Sequence, residues 1–227
     1  ILLVGPAGTG KSQIAYLVAK ILKMPWTTLD MSSINDAEQL TGSSRIYSNA
    51  KPGIIMEAFN NAGESNLVFI INELDKATSS NGNANPADVL LTLLDNLGFT
   101  DNYMECMVPT TGVYPIATAN NKEDISAPIM SRFAVIDIPD YTFEEKKIIF
   151  TKFAMPKVLK RIGLREEECV VTDAGLDAVI HQFENTTGIR DIEQAAEHLA
   201  ANALYQIEVE HAGHVVFDAA QVETLFA

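Results

Sequence analysis

Between Gly5 and Ser12 the chain reads Gly-Pro-Ala-Gly-Thr-Gly-Lys-Ser, a glycine-rich turn ending in a lysine and a hydroxyl. Glycines let backbone N–H groups turn inward around an anion, a lysine neutralises charge beyond them, and a hydroxyl is a hard oxygen ligand for a divalent cation. Gly5, Pro6, Ala7, Gly8, Thr9, Gly10, Lys11 and Ser12 therefore form a candidate phosphate-binding loop, with Ser12 as the side chain that would ligate Mg²⁺. The context agrees: an apolar run over residues 1–4 precedes the loop and a helical pattern over 11–22 follows it. The positive end of that helix would point at the same anion.

A second apolar run, residues 67–71, ends in Asn72 and Glu73. In a phosphate-loop nucleotide hydrolase a carboxylate at Glu73 would act as general base on the attacking water, and the position before it would hold Mg²⁺ through the water shell. That position is Asn72, an acceptor without charge, and charge-assisted hydrogen bonds are about twice as strong as neutral ones. Asp75 lies beyond the strand, and nothing in the sequence aims it at the metal. A third run ends in Thr118-Ala-Asn120, uncharged groups suited to sensing a terminal phosphate or holding the lytic water. Arg132 and Arg190 stand at an element junction and a helix start, and are candidate phosphate neutralisers, Arg132 offered to a neighbouring subunit and Arg190 closing a small domain over the nucleotide. The four histidines show no metal-ligand spacing, no Ser-His-Asp or Cys-His arrangement can be assembled, and residues 166–168 are a solvated acidic run.

These residues need elements to hold them. Runs at 1–4, 26–30, 67–71, 113–118 and 134–138 predict five strands, and helical patterns at 11–22, 53–62, 86–97 and 127–131 lie between them. Strands alternating with helices predict a doubly wound parallel sheet whose carboxyl ends bring the loop, the end of the 67–71 run and the end of the 113–118 run to one crevice. After Pro139 helical patterns take over, at 142–154, 172–183, 189–208 and 219–226, with a possible short strand at 214–217. The prediction is an α/β domain over 1–140 and a small, mostly helical domain over 141–227. Thr142 with Glu145 has capping-box spacing, Thr172 with Asp173 gives a second hydroxyl start, and the polar segment 79–85 reads as a mobile loop.

The chain has 227 residues and a net charge of −14, which argues against general affinity for nucleic acid or anionic lipid. Cys106 and Cys169, far apart, suggest a reducing, cytoplasmic setting without disulfides. No apolar stretch has the length of a membrane span, and the start at Ile1 suggests a piece of a longer chain.

Taken together the segments resemble an AAA+ ATPase, and within that class the ATPase module of Lon-type proteases. The resemblance is carried by the phosphate loop, by Thr41-Gly-Ser-Ser-Arg-Ile-Tyr47 leading to Lys51-Pro-Gly-Ile-Ile55, and by Asn72-Glu-Leu-Asp-Lys76. It continues through Ala117-Thr-Ala-Asn120, Ala127-Pro-Ile-Met-Ser-Arg132, Pro139-Asp-Tyr-Thr142 and Thr187-Gly-Ile-Arg190. It implies that Asn120 is the sensor-1 residue, Arg132 the arginine finger, Arg190 the sensor-2 arginine and Tyr47 a pore-loop aromatic that grips substrate chain, with Tyr141 and Ile189 lining the adenine pocket. It also implies ATP and ADP as ligands with Mg²⁺, and a homohexameric ring that threads unfolded or tagged protein into a covalently linked protease domain. Asn72 departs from the family's aspartate, residues 79–85 lack a second pore aromatic, and the serine and lysine of a Lon proteolytic dyad lie outside the sequence. Two alternatives stay open: a remodeller without a protease, and a nucleotide-gated assembly module that hydrolyses slowly because of Asn72.

Overall fold

The computed structural model describes residues 1–77 and 86–226. The segment 79–85, read above as a loop, lies outside the described residues. Two compact units emerge, one made of Ile1–Pro6 and Gly10–Ile138, the other of Ala7–Thr9 and Pro139–Ala227.

The first unit is built on a five-stranded parallel sheet of β1 (Leu2–Val4), β2 (Trp26–Asp30), β3 (Leu67–Asn72), β6 (Val113–Ala119) and β7 (Val135–Asp137), in the order β2-β3-β6-β1-β7. β3 is buried over its first five residues, as expected of a central parallel strand covered on both faces. Side chains alternate across a strand, and the core divides accordingly. Leu67, Phe69 and Ile71 join the larger cluster, with Ile55 and Phe59 of α3 (Ile54–Ala62), Leu90 and Leu93 of α4 (Pro86–Leu94) and Ile129 of α5 (Ala127–Met130). Val68 and Ile70 face the other way, onto Ala15 and Ala19 of α1 (Lys11–Leu22). The two alanines let α1 lie close to the sheet, which fixes the height of its first turn at the strand ends. Each buried leucine or isoleucine of this kind is worth about 1.5–3 kcal/mol over exposure.

Three short elements of this unit, a helix and the two strands of a hairpin, are absent from the sequence prediction. The short helix α2 (Ala37–Thr41) starts at a capping box formed by Asp36 and Gln39. β4 (Phe99–Asp101) and β5 (Cys106–Val108) make an antiparallel hairpin, and α4 ends at Leu94 rather than at 97. Three-residue strands are too short to show a periodicity of their own.

The second unit contains α6 (Phe143–Ile149), a π-helical turn (Phe150–Ala154), α7 (Met155–Ile162), β8 (Cys169–Val171), α8 (Asp173–Gln182), α9 (Arg190–Val209), β9 (Val215–Phe217) and α10 (Ala219–Phe226). The strand expected near 214–217 is β9, and it pairs in parallel with β8, which the sequence did not announce. The helix expected to stop at 154 instead continues: Pro156 cannot donate to the carbonyl four residues earlier, the turn before it widens, and α7 follows. Both hydroxyl caps form. Thr142 and Glu145 make the reciprocal box, and Thr172 Oγ1 accepts from Gly175 N at 3.0 Å.

Candidate functional site

The phosphate loop joins β1 to α1, and its shape follows from its glycines. Gly10, the residue that opens α1, is left-handed at φ 81°, and no side chain caps the helix start. The first-turn N–H groups of α1 therefore keep their positive end for an anion, with no acidic residue in that turn to compete. Gly5 has a different reason: a Cβ there would meet Ile138 O at 2.1 Å, because the backbone beyond β7 passes against it.

Lys11 is buried, and its ammonium donates to Gly5 O at 2.7 Å, Pro6 O at 2.7 Å and Asn120 Oδ1 at 2.9 Å. Those bonds use all three protons of the group. Burial pulls the Lys11 ammonium below the ordinary lysine range, opposed by the negative charges of Asp75 and then Glu73. Beside it Ser12 Oγ donates to Asn72 Oδ1 at 2.9 Å, Thr118 Oγ1 reaches the same oxygen at 3.4 Å, and Glu73 N donates to Thr118 Oγ1 at 3.3 Å. Lys11, Ser12, Asn72, Glu73, Thr118 and Asn120 are thus brought together at the carboxyl ends of β3 and β6, the crevice expected from the topology.

Glu73 is left-handed at φ 54°, a conformation that costs a non-glycine residue about 1–3 kcal/mol and is retained where surroundings enforce it. The turn it makes closes with Lys76 N donating to Glu73 O at 2.8 Å, leaving the Glu73 side chain exposed and Leu74 and Asp75 buried. Asp75 was set aside in the sequence as lying past the strand, yet it is 3% exposed. Among the described residues neither of its carboxylate oxygens has a hydrogen-bond partner, and Lys76 Nζ stands 3.7 Å from Oδ2.

Arg132 is exposed and is not bonded to this group. Its Nε donates to Asp95 Oδ1 at 2.5 Å, its Nη2 to Asp95 Oδ2 at 2.7 Å, and its Nη1 to Pro128 O at 2.6 Å. The fork holds the Asp95 carboxyl below the usual carboxylate range and raises the guanidinium in turn. Tyr47 is 61% exposed, next to Ile46 at 90%, in a loop whose base is tied by Asp101. That fully buried carboxylate accepts from Gly53 N at 2.8 Å, Tyr103 N at 2.9 Å and Met104 N at 2.9 Å. Asn102 adds bonds to Thr41 Oγ1 and Gly42 O, and the Arg45 guanidinium lies over the Tyr103 ring at 4.9 Å.

In the second unit the loop-tip residues Ala7, Gly8 and Thr9 meet three of the remaining candidates. Tyr141 Oη donates to Thr9 O at 3.1 Å and Ile189 N to Gly8 O at 3.2 Å. Asp140 Oδ1 accepts from Gly188 N at 2.7 Å and Tyr141 N at 2.8 Å. Arg190 opens α9, exposed, on a cavity of about 370 Å³ lined also by Ala7, Gly8, Thr186 and Thr187. Sequence reasoning missed Asp95, Asp101 and Asp140. Only Asp101 carried a signal, an Asp-Asn pair of the kind that bonds the backbone two residues on.

Among the described residues no group of three or more His, Cys, Asp or Glu is placed to hold a metal by itself, and no helix is long and apolar enough to cross a membrane. The family model of the ATPase family associated with various cellular activities (AAA) matches residues 1–139. Among curated proteins, the Lon protease of Methanosphaera stadtmanae is 33% identical over 214 residues, which is 93% of this chain and 26% of that protein. The Lon protease of Malacoplasma penetrans is 35% identical over 203 residues (88% and 26%), and that of Clostridium beijerinckii 34% identical over 210 residues (91% and 26%). The chain spans about a quarter of the length of these relatives. A solved structure of a RuvB mutant from Thermotoga maritima superposes with a TM-score of 0.66 at 15% identity, covering 99% of this chain and 60% of that one, a likeness of fold.

Proposed function

Because this chain belongs to the AAA family of ATPases, we propose that it is the nucleotide-driven motor module of a Lon-type protease, binding ATP with Mg²⁺ and hydrolysing it within a ring of its own copies. The observation that carries the reading is the Lys11 ammonium, held at the strand ends by Gly5 O, Pro6 O and Asn120 within reach of the Ser12–Asn72–Thr118 hydroxyl and amide group. When ATP enters, Lys11 exchanges loop carbonyls for phosphate oxygens, and the uncapped start of α1 supplies backbone N–H groups to the same charge. Asn120, released from Lys11, is then free to bond the terminal phosphate or the water beside it.

The oxygen donors Ser12, Asn72 and the acidic residues after β3 suit a hard, incompletely dehydrated ion, so Mg²⁺ would be held by Ser12 and, through water, by Asn72. When bound, it neutralises charge on the phosphates and fixes their geometry. Glu73, exposed on its left-handed turn, orients and polarises the attacking water. Arg132 stabilises transition-state charge at a neighbouring copy, a contribution worth about 10³–10⁵ in turnover where such residues have been removed. Tyr141 and Ile189, bonded to the loop-tip residues Thr9 and Gly8, and Arg190 on the cavity beside them would also contact the nucleotide. Tyr47, exposed on a loop pinned at its base, would engage a protein chain drawn through the ring.

Calorimetric titration of ATP into wild type and Lys11→Ala tests the core of this proposal. Binding by the wild type and its loss in the variant, with unchanged melting, is the expected result; equal affinity in both would sink it. A second reading, a nucleotide-gated module that turns over slowly, is favoured by one observation, the neutral side chain at Asn72.

A further inference from the structure

The site proposed above has a deficit of negative charge. Both acceptor positions of Asn72 Oδ1 are taken by the Ser12 and Thr118 hydroxyls, and the side chain carries no charge. Three residues on, Asp75 presents the opposite anomaly. Its side chain is wholly buried, and among the described residues neither oxygen receives a hydrogen bond; the Lys76 ammonium, at 3.7 Å from Oδ2, is beyond bonding distance and half exposed to water. A buried carboxylate without donors is costly, and such a group in a folded protein calls for an ion, a ligand or a functional strain to account for it.

The chain path explains how Asp75 arrives there. Glu73 at φ 54° breaks the line of β3, and the single turn Leu74–Lys76 carries Asp75 into the interior instead of onward past the strand. A regular strand continuation would have carried residue 75 on past the end of β3, on the face of Leu67, Phe69 and Ile71. The negative charges felt by Lys11 come from Asp75 first and Glu73 second, so the buried carboxylate acts on the phosphate site itself.

We propose that Asp75 supplies the carboxylate charge that position 72 lacks, and would help hold the hydrated Mg²⁺ of the nucleotide complex while Asn72 serves only as a neutral acceptor. The inference rests on the ATP-site proposal and adds a residue to it. The orphaned oxygens of Asp75 would be acceptors for the ion's water shell, and the turn strained at Glu73 serves two ends, exposing one carboxylate and burying the other.

The test uses a non-hydrolysable ATP analogue titrated calorimetrically with and without Mg²⁺, and with Mn²⁺ followed by electron paramagnetic resonance. The proteins are wild type, Asp75→Asn, Asn72→Asp and Asn72→Asp/Asp75→Asn. Wild type should bind the analogue more tightly with metal. Asp75→Asn should lose about 10- to 100-fold in metal affinity, the usual loss for a residue that orients a metal's ligands, while keeping its metal-free affinity. The double variant should regain the loss, because the charge returns at position 72. Without nucleotide, Asp75→Asn should melt at or above the wild-type temperature, since a buried unpartnered charge has been removed. Undiminished metal affinity in Asp75→Asn, no recovery in the double variant, or an Asp75→Asn protein that fails to fold would each overturn the proposal. Failure of wild type to bind the analogue under any condition would instead overturn the ATP-site proposal on which it stands.

Discussion

At the scale of single residues the site is a set of hydrogen bonds waiting to be exchanged. Asn72 is an uncharged member of the group, and replacing it with aspartate adds charge beside Ser12 Oγ, 2.9 Å away. Asn72→Asp should raise the steady-state rate of ATP hydrolysis and lower the Mg²⁺ concentration at half-maximal rate, and superimposable Mg²⁺ titrations for the two forms would refute this. Arg132 is limited by direction, since Asp95 grips two of its nitrogens. Arg132→Ala should cut turnover by about 10³ or more with ATP affinity kept, and Asp95→Asn should produce a smaller loss of the same kind by letting the guanidinium swing. Equal loss of binding and turnover in Arg132→Ala would show that Arg132 serves its own subunit's nucleotide. The loop, Glu73 and Asn120 were legible because residue type and order identify them. Asp75, Asp95 and Asp101 were not: each acts through a partner or a burial created by the fold, as when Arg132 meets an aspartate 37 positions earlier.

At the scale of elements, the five long apolar runs announced themselves, and each became a strand within a residue or two of its expected ends. What was missed was the short helix α2, the three-residue strands β4, β5 and β8, and the helix that crosses Pro156, where the sequence signal for a stop is real but the chain answers with a wider turn. In the β4–β5 hairpin Asp101, the last residue of β4, accepts from the backbone N–H of Gly53 and from those of Tyr103 and Met104 in its own turn. Removing that carboxylate strands the buried Gly53 N–H, at a cost of about 1–3 kcal/mol, and releases two partly exposed donors. Asp101→Ala should therefore lower stability by about 1–3 kcal/mol in denaturant unfolding, and limited proteolysis should cut first in the loop carrying Ile46 and Tyr47. A melting curve and a cleavage pattern like wild type would mean the loop is held by other contacts.

At the scale of the whole molecule, two hydrophobic cores account for two compact units, and the thiols report on them separately. Cys106 is exposed in the first unit; Cys169 is buried in the second, and burial pushes its thiol up to about 11. A raised thiol pKa keeps the native state protonated where the unfolded chain would ionise, so its stabilising effect is complete below about pH 9 and is lost as the pH climbs toward about 11. Iodoacetamide at pH 8 should modify Cys106 quickly and Cys169 only on unfolding. Equal rates in native protein would contradict the packing of the second core. The sequence predicted a mostly helical domain after Pro139 with a short strand at 214–217, but not the β8 that pairs with it, because residues 169–171 follow an acidic run with no alternation to mark them.

Gly5 carries a consequence for lineage. The backbone beyond β7 leaves no room for a side chain at this position whether or not a phosphate is ever bound. Selection on folding alone would preserve it in a descendant that had abandoned nucleotides altogether. Of the loop's glycines, then, the first testifies to the sheet, and a surviving Gly5 in a decayed copy of this chain would say nothing about whether nucleotide is still bound.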